Sequence, residues 1–122
     1  MSEYNENFRF EDGVLYVRLS GDFPNELFGK EENLFQPLID ACSTYECKKA
    51  LVDARDLKVD FNTLAIFQAG VDAAFVSRRG IRLALVATEA MLDPFFDHVV
   101  YNRGGIVGIF MDTDSALDWL QE

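Results

Sequence analysis

One histidine and two cysteines leave little material for a His/Cys metal cage. Cys42 and Cys47 stand five apart, a spacing that matches neither a zinc site nor a redox pair, so they are expected as reduced, partly buried thiols. Basic residues are scarce. Eleven Lys and Arg face 21 Asp and Glu, a formal charge of −10, which repels phosphate backbones and anionic headgroups and argues against nucleic-acid or membrane-surface binding. No apolar run approaches the ~18 residues needed to cross a bilayer. The segment Met1 to Asn7 carries Glu3 and Glu6 without an apolar core, so it does not read as a secretory signal and a cytoplasmic protein is expected.

What is present is core material. The 122 residues are 49% hydrophobic and 13% aromatic, with eleven Phe, which excludes disorder. A chain of this length buries roughly two-thirds of its surface on folding, enough for a single domain over residues 1–122 without staples.

Asp12-Gly13 separates two apolar stretches, Phe8 to Glu11 and Val14 to Ser20, and predicts a β-hairpin. Gly21 to Lys30 reads as an irregular connection broken by Pro24 and Gly29. A first helix is expected from Leu34 to Tyr45, with Pro37 in its opening turn. Lys49 to Asp53, Arg82 to Ala87 and Ile106 to Phe110 read as buried strands. A second helix opens at Asn62 or Thr63 and closes at Gly80. A third runs from Asp93-Pro94 to Gly104-Gly105, and a fourth from Asp112 or Thr113 to Leu120. The order β-β-α-β-α-β-α-β-α predicts an α/β domain with a mixed, mostly parallel five-stranded sheet and four helices.

This order, Gly21 after the second strand, Leu51-Val52-Asp53-Ala54-Arg55-Asp56-Leu57 and the ending Phe110-x-Asp112-x-x-x-Ala116-x-x-Trp119-Leu120 resemble a STAS domain. More narrowly, they are similar to the SpoIIAA-like (STAS/Sec14-type) group of small bacterial proteins. The resemblance implies the SpoIIAA-like fold and a non-catalytic regulatory module that binds a protein or a small ligand. Anti-anti-sigma factors carry an Asp-Ser-Ser-Gly type segment whose serine is phosphorylated. The matching stretch here is Asp60-Phe61-Asn62-Thr63-Leu64, with Phe61 in the phosphoacceptor's place, so the phosphoswitch is not carried over. Thr63 is the nearest hydroxyl and reads as a helix cap.

Ligands of open α/β sheets bind beyond the carboxyl ends of the strands. That places the candidate ligand-binding residues at Asp53, Arg55 and Asp56, at Thr88 and Glu89, at Asp112, and at Asn62 and Thr63 where helix two opens. Carboxylates at three strand exits suit Mg²⁺ and make a Mg-dependent enzyme the third reading. Each also suits a helix N-terminus, and no lysine follows the last strand to meet a phosphoryl group. His98 lies off the apolar stripe of its helix and has no Ser or Cys partner at a usable spacing; no catalytic residue, metal or cofactor is assigned. Lys48, Lys49, Arg78, Arg79 and Arg82 precede two strands, where helix C-termini point and cations complement the dipole.

Helix two has two apolar stripes. Leu64, Phe67, Val71, Ala74 and Phe75 form the expected core face, and Gln68, Asp72 and Arg79 a polar strip. Ile66, Ala69, Gly70, Ala73 and Val76 form the second stripe, small enough for close helix approach and expected at a homodimer interface. The functional alternative is a carrier or sensor of an apolar, lipid-like small molecule, suggested by the eleven Phe and the Sec14-type resemblance.

Overall fold

Asp12 and Gly13 take φ values of 51° and 79°, the paired left-handed conformation of a type I′ turn. The turn joins β1 (Asn5–Glu11) to β2 (Val14–Asp22) as an antiparallel pair with Phe10 opposite Leu15. This hairpin opens a computed structural model that describes residues 3–24, 33–59 and 62–122. The further elements are α1 (Gln36–Tyr45), β3 (Lys49–Lys58), α2 (Thr63–Arg78), β4 (Arg82–Val86), a short 3₁₀ turn (Glu89–Met91), α3 (Pro94–Asn102), β5 (Val107–Phe110) and α4 (Thr113–Leu120). Residues 25–30 of the expected irregular connection lie outside the described residues, as do Asp60 and Phe61. Three strands run longer than the sequence pattern predicts, and β1 does so at its start, from Asn5 instead of Phe8. β2 continues through Gly21, whose φ of 86° and whose missing Cβ, which would stand 2.0 Å from the Glu3 carbonyl oxygen, make glycine necessary there. β3 runs on to Lys58 beside it, pairing Gly21 with Leu57.

The strand order is β1-β2-β3-β4-β5, with β2 to β5 parallel. Three right-handed crossovers that all step the same way along a sheet place their helices on one face. Accordingly α1, α2 and α3 pack over one side: Leu38, Ile39, Cys42, Ala73, Val76 and Val100 cluster with Leu15, Val17, Ala50, Val52 and Leu83. α4 covers the other side, where Ala116 and Leu120 meet Val14, Leu51, Ala84 and Val86. Caps are as the sequence suggests for two helices, with Asp93 Oδ1 accepting from Phe95 N at 2.8 Å and Asp112 Oδ1 accepting from Ser115 N at 2.7 Å. Arg82 fastens the last helix to the sheet. Its guanidinium donates to the Trp119 carbonyl at 2.8 and 3.1 Å and lies 3.8 Å from the indole centroid, a cation at a helix C-terminus.

Helix α2 faces the opposite way from its expected orientation. Ile66, Gly70, Ala73 and Val76 are buried within the subunit and Ala69 half-buried, so this stripe is no dimer interface in this fold. Of the expected core face only Ala74 is buried, whereas Leu64 is 72% and Phe75 36% exposed. The small residues do admit a helix, but it is α3 of the same chain. A Cβ on Gly70 would fall 2.8 Å from Val99 Cγ1, and one on Gly105 would fall 2.7 Å from Ala74 Cα. Asp72, assigned to a polar strip, is 8% exposed. Its Oδ2 accepts from Leu34 N at 3.0 Å, its Oδ1 from Gln68 Nε2 at 3.1 Å, and its backbone carbonyl from Asn33 Nδ2 at 3.2 Å. The residue thereby ties α2 to the segment entering α1.

Two outcomes test this packing. Ala73→Glu places a charge at a fully enclosed position and is expected to abolish the cooperative thermal transition instead of producing a folded monomer, while Phe75→Glu on the outward face is expected to keep it. A folded Ala73→Glu protein would return that stripe to the surface. Burial, opposed by the hydrogen bonds from Leu34 and Gln68, holds the Asp72 carboxyl above its ordinary 3.8. Stability from this group is therefore full below pH 3.8 and is lost as pH rises through the raised folded value. Asp72→Asn, which keeps an acceptor for Leu34 N, is expected to match or exceed the wild-type Tm at pH 7, with the gain shrinking toward pH 4. Asp72→Ala strands that N–H and is expected to cost about 1–3 kcal/mol in denaturant titrations.

Candidate functional site

The polar residues expected at a ligand site divide between separate places. In β3, Leu51, Asp53 and Arg55 point to the α4 side of the sheet, whereas Val52, Ala54 and Leu57 point to the side of α1–α3. Arg55 binds Asp53 through two contacts, Nε to Oδ1 at 3.0 Å and Nη2 to Oδ2 at 2.9 Å, and donates to Thr113 Oγ1 at 3.3 Å. The Arg55 guanidinium is the main cause that holds the Asp53 carboxyl below its usual range. Asp56 accepts from the Arg18 guanidinium. Asp112 is held low by the Ser115 amide and hydroxyl it caps. Each of these carboxylates already has a partner, and among the described residues no group of three or more His, Cys, Asp or Glu side chains is placed to hold a metal ion. His98 is exposed on α3.

Asn62, not Thr63, caps α2, its Oδ1 accepting from Ala65 N at 2.8 Å, and Thr63 is an exposed first-turn residue. Thr88 and Glu89 stand at the start of the 3₁₀ turn. The structure thus brings Asp53, Arg55 and Asp112 together and places Asn62 and Thr63 at the start of α2 and Thr88 and Glu89 at the start of the 3₁₀ turn.

The cavity lies on the other face of the sheet. About 400 Å³ in volume, it sits between the carboxyl halves of the strands and the helices α1–α3, within the size range of small-molecule sites. Its floor is Leu19, Val52, Ala54, Leu85 and Ile109. Its roof is Leu38 of α1, Ile66 and Ala69 of α2, and Phe96 of α3. Phe8, Phe23 and Phe35 close one side, and Phe23 is steadied by an edge-on Tyr4 ring 5.1 Å away. None of the expected ligand residues lines it. Strand exits and cavity lie toward the same end of the sheet, but alternation along β3 turns the charged residues to one face and the cavity wall to the other. The signal in the sequence was the phenylalanine count, which gives the amount of apolar wall and not its place.

Polar groups at the cavity are few and of one sign. Glu6 of β1, Asp93 before α3 and Asp97 in its first turn line it, and among the described residues no Lys or Arg does. Tyr4 donates its hydroxyl to Glu6 Oε2 at 2.6 Å, and burial beside that carboxylate raises the phenol well above its usual range.

No family model matches the sequence, and no curated protein matches it. Solved structures do. A protein of the DUF3478 family from Shewanella loihica PV-4, described as uncharacterized and SpoIIAA-like in fold, superposes with a TM-score of 0.59 at 16% identity, over 98% of this chain and 95% of that one. An anti-sigma factor antagonist from Mycobacterium paratuberculosis superposes with a TM-score of 0.62 at 12% identity, over 98% and 96%. The antiparallel hairpin, the parallel run from β2 to β5 and the four helices, matched over nearly the full length of both neighbours, give this chain the STAS or SpoIIAA-like fold.

Proposed function

We propose that this protein is a small, non-catalytic, cytoplasmic regulatory module that takes one lipid-like molecule into the cavity beneath α1–α3. The observation that carries this reading is the cavity, apolar on floor and roof and open at the carboxyl ends of the strands. An apolar ligand there removes its own surface and that of the wall from water at about 25 cal/mol per Å² of apolar area. The likeness in fold to an anti-sigma factor antagonist supports the regulatory part of the reading. The Mg²⁺ alternative finds no ligand set among the described residues.

A second surface supports a protein partner. With the small-residue stripe of α2 turned inward, exposed Leu64 and Phe75 and half-buried Phe67 and Val71 form an apolar row on the other side of the helix. A second copy docking this row against its own equivalent is the partner proposed, which keeps the expected homodimer but moves its interface to the opposite side of the helix.

Dodecanol at a hundred times its dissociation constant is expected to stabilise the protein by about 2.7 kcal/mol, read as a rise in Tm, with Mg²⁺ giving none. Ala54→Phe and Ala87→Phe, which fill the cavity from β3 and from the residue after β4, are expected to abolish that rise while keeping the fold. Unchanged dodecanol binding in both would remove the cavity from the mechanism. Light scattering behind a sizing column is expected to give twice the monomer mass, falling to the monomer mass in Leu64→Glu; a monomeric wild type at tens of micromolar would end the dimer reading.

A further inference from the structure

We infer that the cavity selects its ligand by headgroup charge, taking a long-chain amine or other cationic amphiphile in preference to a fatty-acid anion; this rests on the reading of the cavity as a lipid-like site. The apolar wall determines chain binding and is indifferent to the head. The polar rim decides between heads, and among the described residues its charged members are Glu6, Asp93 and Asp97.

The one feature near the rim that would welcome an anion is the N-terminus of α3. A helix N-terminus carries the equivalent of roughly half a positive charge. Here that end is already answered. Asp93 accepts from the Phe95 amide at 2.8 Å, Pro94 has no N–H to offer, and Asp97 adds a second carboxylate in the first turn. Two full negative charges outweigh the half charge of the dipole, so the α3 side of the rim is net negative. The β1 side is negative as well. Glu6 lines the cavity and its Oε2 takes the Tyr4 hydroxyl, and a carboxylate has only acceptors to offer a ligand. A carboxylate head entering this rim meets like charge without a described Lys or Arg to pair with, whereas an ammonium supplies three N–H donors to acceptor-only groups. The formal charge of −10 on the whole chain acts in the same direction at long range.

The test is a displacement titration at pH 7 and low salt. The neutral dye N-phenyl-1-naphthylamine is bound first, then displaced by dodecylamine, dodecanol or dodecanoate. These three share one chain and carry positive, neutral and negative heads. The expected order is amine tightest and carboxylate weakest, with at least a tenfold ratio between the two. Glu6→Gln combined with Asp97→Asn, both changes keeping side-chain shape, is expected to compress that ratio severalfold while leaving dodecanol unchanged. Raising the salt to 0.5 M is expected to compress it too. Equal binding of the three ligands, or tighter binding of dodecanoate, overturns the charge selection and leaves the cavity reading standing. Failure of the dye and all three ligands to bind overturns the cavity reading itself. A wild-type preference for the amine that persists in the double variant assigns it to another group and overturns the inference.

Discussion

Every larger feature of this protein follows from three crossovers that step in one direction along the sheet. Because each βαβ unit is right-handed, the sequential order β2-β3-β4-β5 forces α1, α2 and α3 onto the same face. Among the described residues the opposite face receives α4 alone, which reaches β3, β4 and β5 and leaves the outer side of the hairpin to Arg9, Tyr16 and Arg18. Three helices on one face then have to share a floor. α2 and α3 meet closely because Gly70 and Gly105 remove the side chains that would hold them apart. α2 is joined to the approach of α1 by a polar bridge at Asp72. A polar bridge holds two segments together without filling the volume below them, and the cavity lies under that side of the layer, between Leu38 and Ile66.

The sequence made the order of elements and most of their ends legible, because those depend on neighbours in the chain. Asp12-Gly13, Asp93-Pro94 and Asp112 work through contacts within a few residues, so their types alone predict a turn and two caps. The expected β3 is too short because its second half, Ala54 to Lys58, carries three charged residues, Arg55, Asp56 and Lys58, and its strand conformation is imposed by pairing with Ser20 to Asp22. The orientation of α2 was illegible for a related reason. Both stripes are apolar, so periodicity has no preferred side, and the choice is made by Val99 and Ala74 meeting glycines on elements distant in sequence. Asp72 looks like a solvated residue until its acceptor role toward Leu34, 38 residues earlier, is visible. The strand exits and the cavity share the carboxyl end of the sheet. The cavity face was not legible, because it depends on which residues of β3 point to which layer.

The cavity and the outward face are two sides of one helix, which links the proposed ligand site to the proposed partner surface. Ile66 and Ala69 of α2 line the cavity, while Leu64 and Phe75 of the same helix are exposed to solvent and Phe67 and Val71 are half-buried. Packed interiors are dense and transmit small displacements instead of absorbing them. The contact between α2 and α3 has little slack, since a single added methyl at Gly70 would overlap Val99. Any displacement that a bound chain imposes on Ile66 is therefore carried by α2 and α3 as a pair, and it reaches the outward row as a shift of the whole helix. Such rigid-body movement of a packed element is one of the ordinary routes by which an occupied site changes a distant surface. The acidic rim adds a condition on what can cause it. Asp93 and Asp97 belong to α3, so the charge that selects the head sits on the same pair of helices that the chain would move.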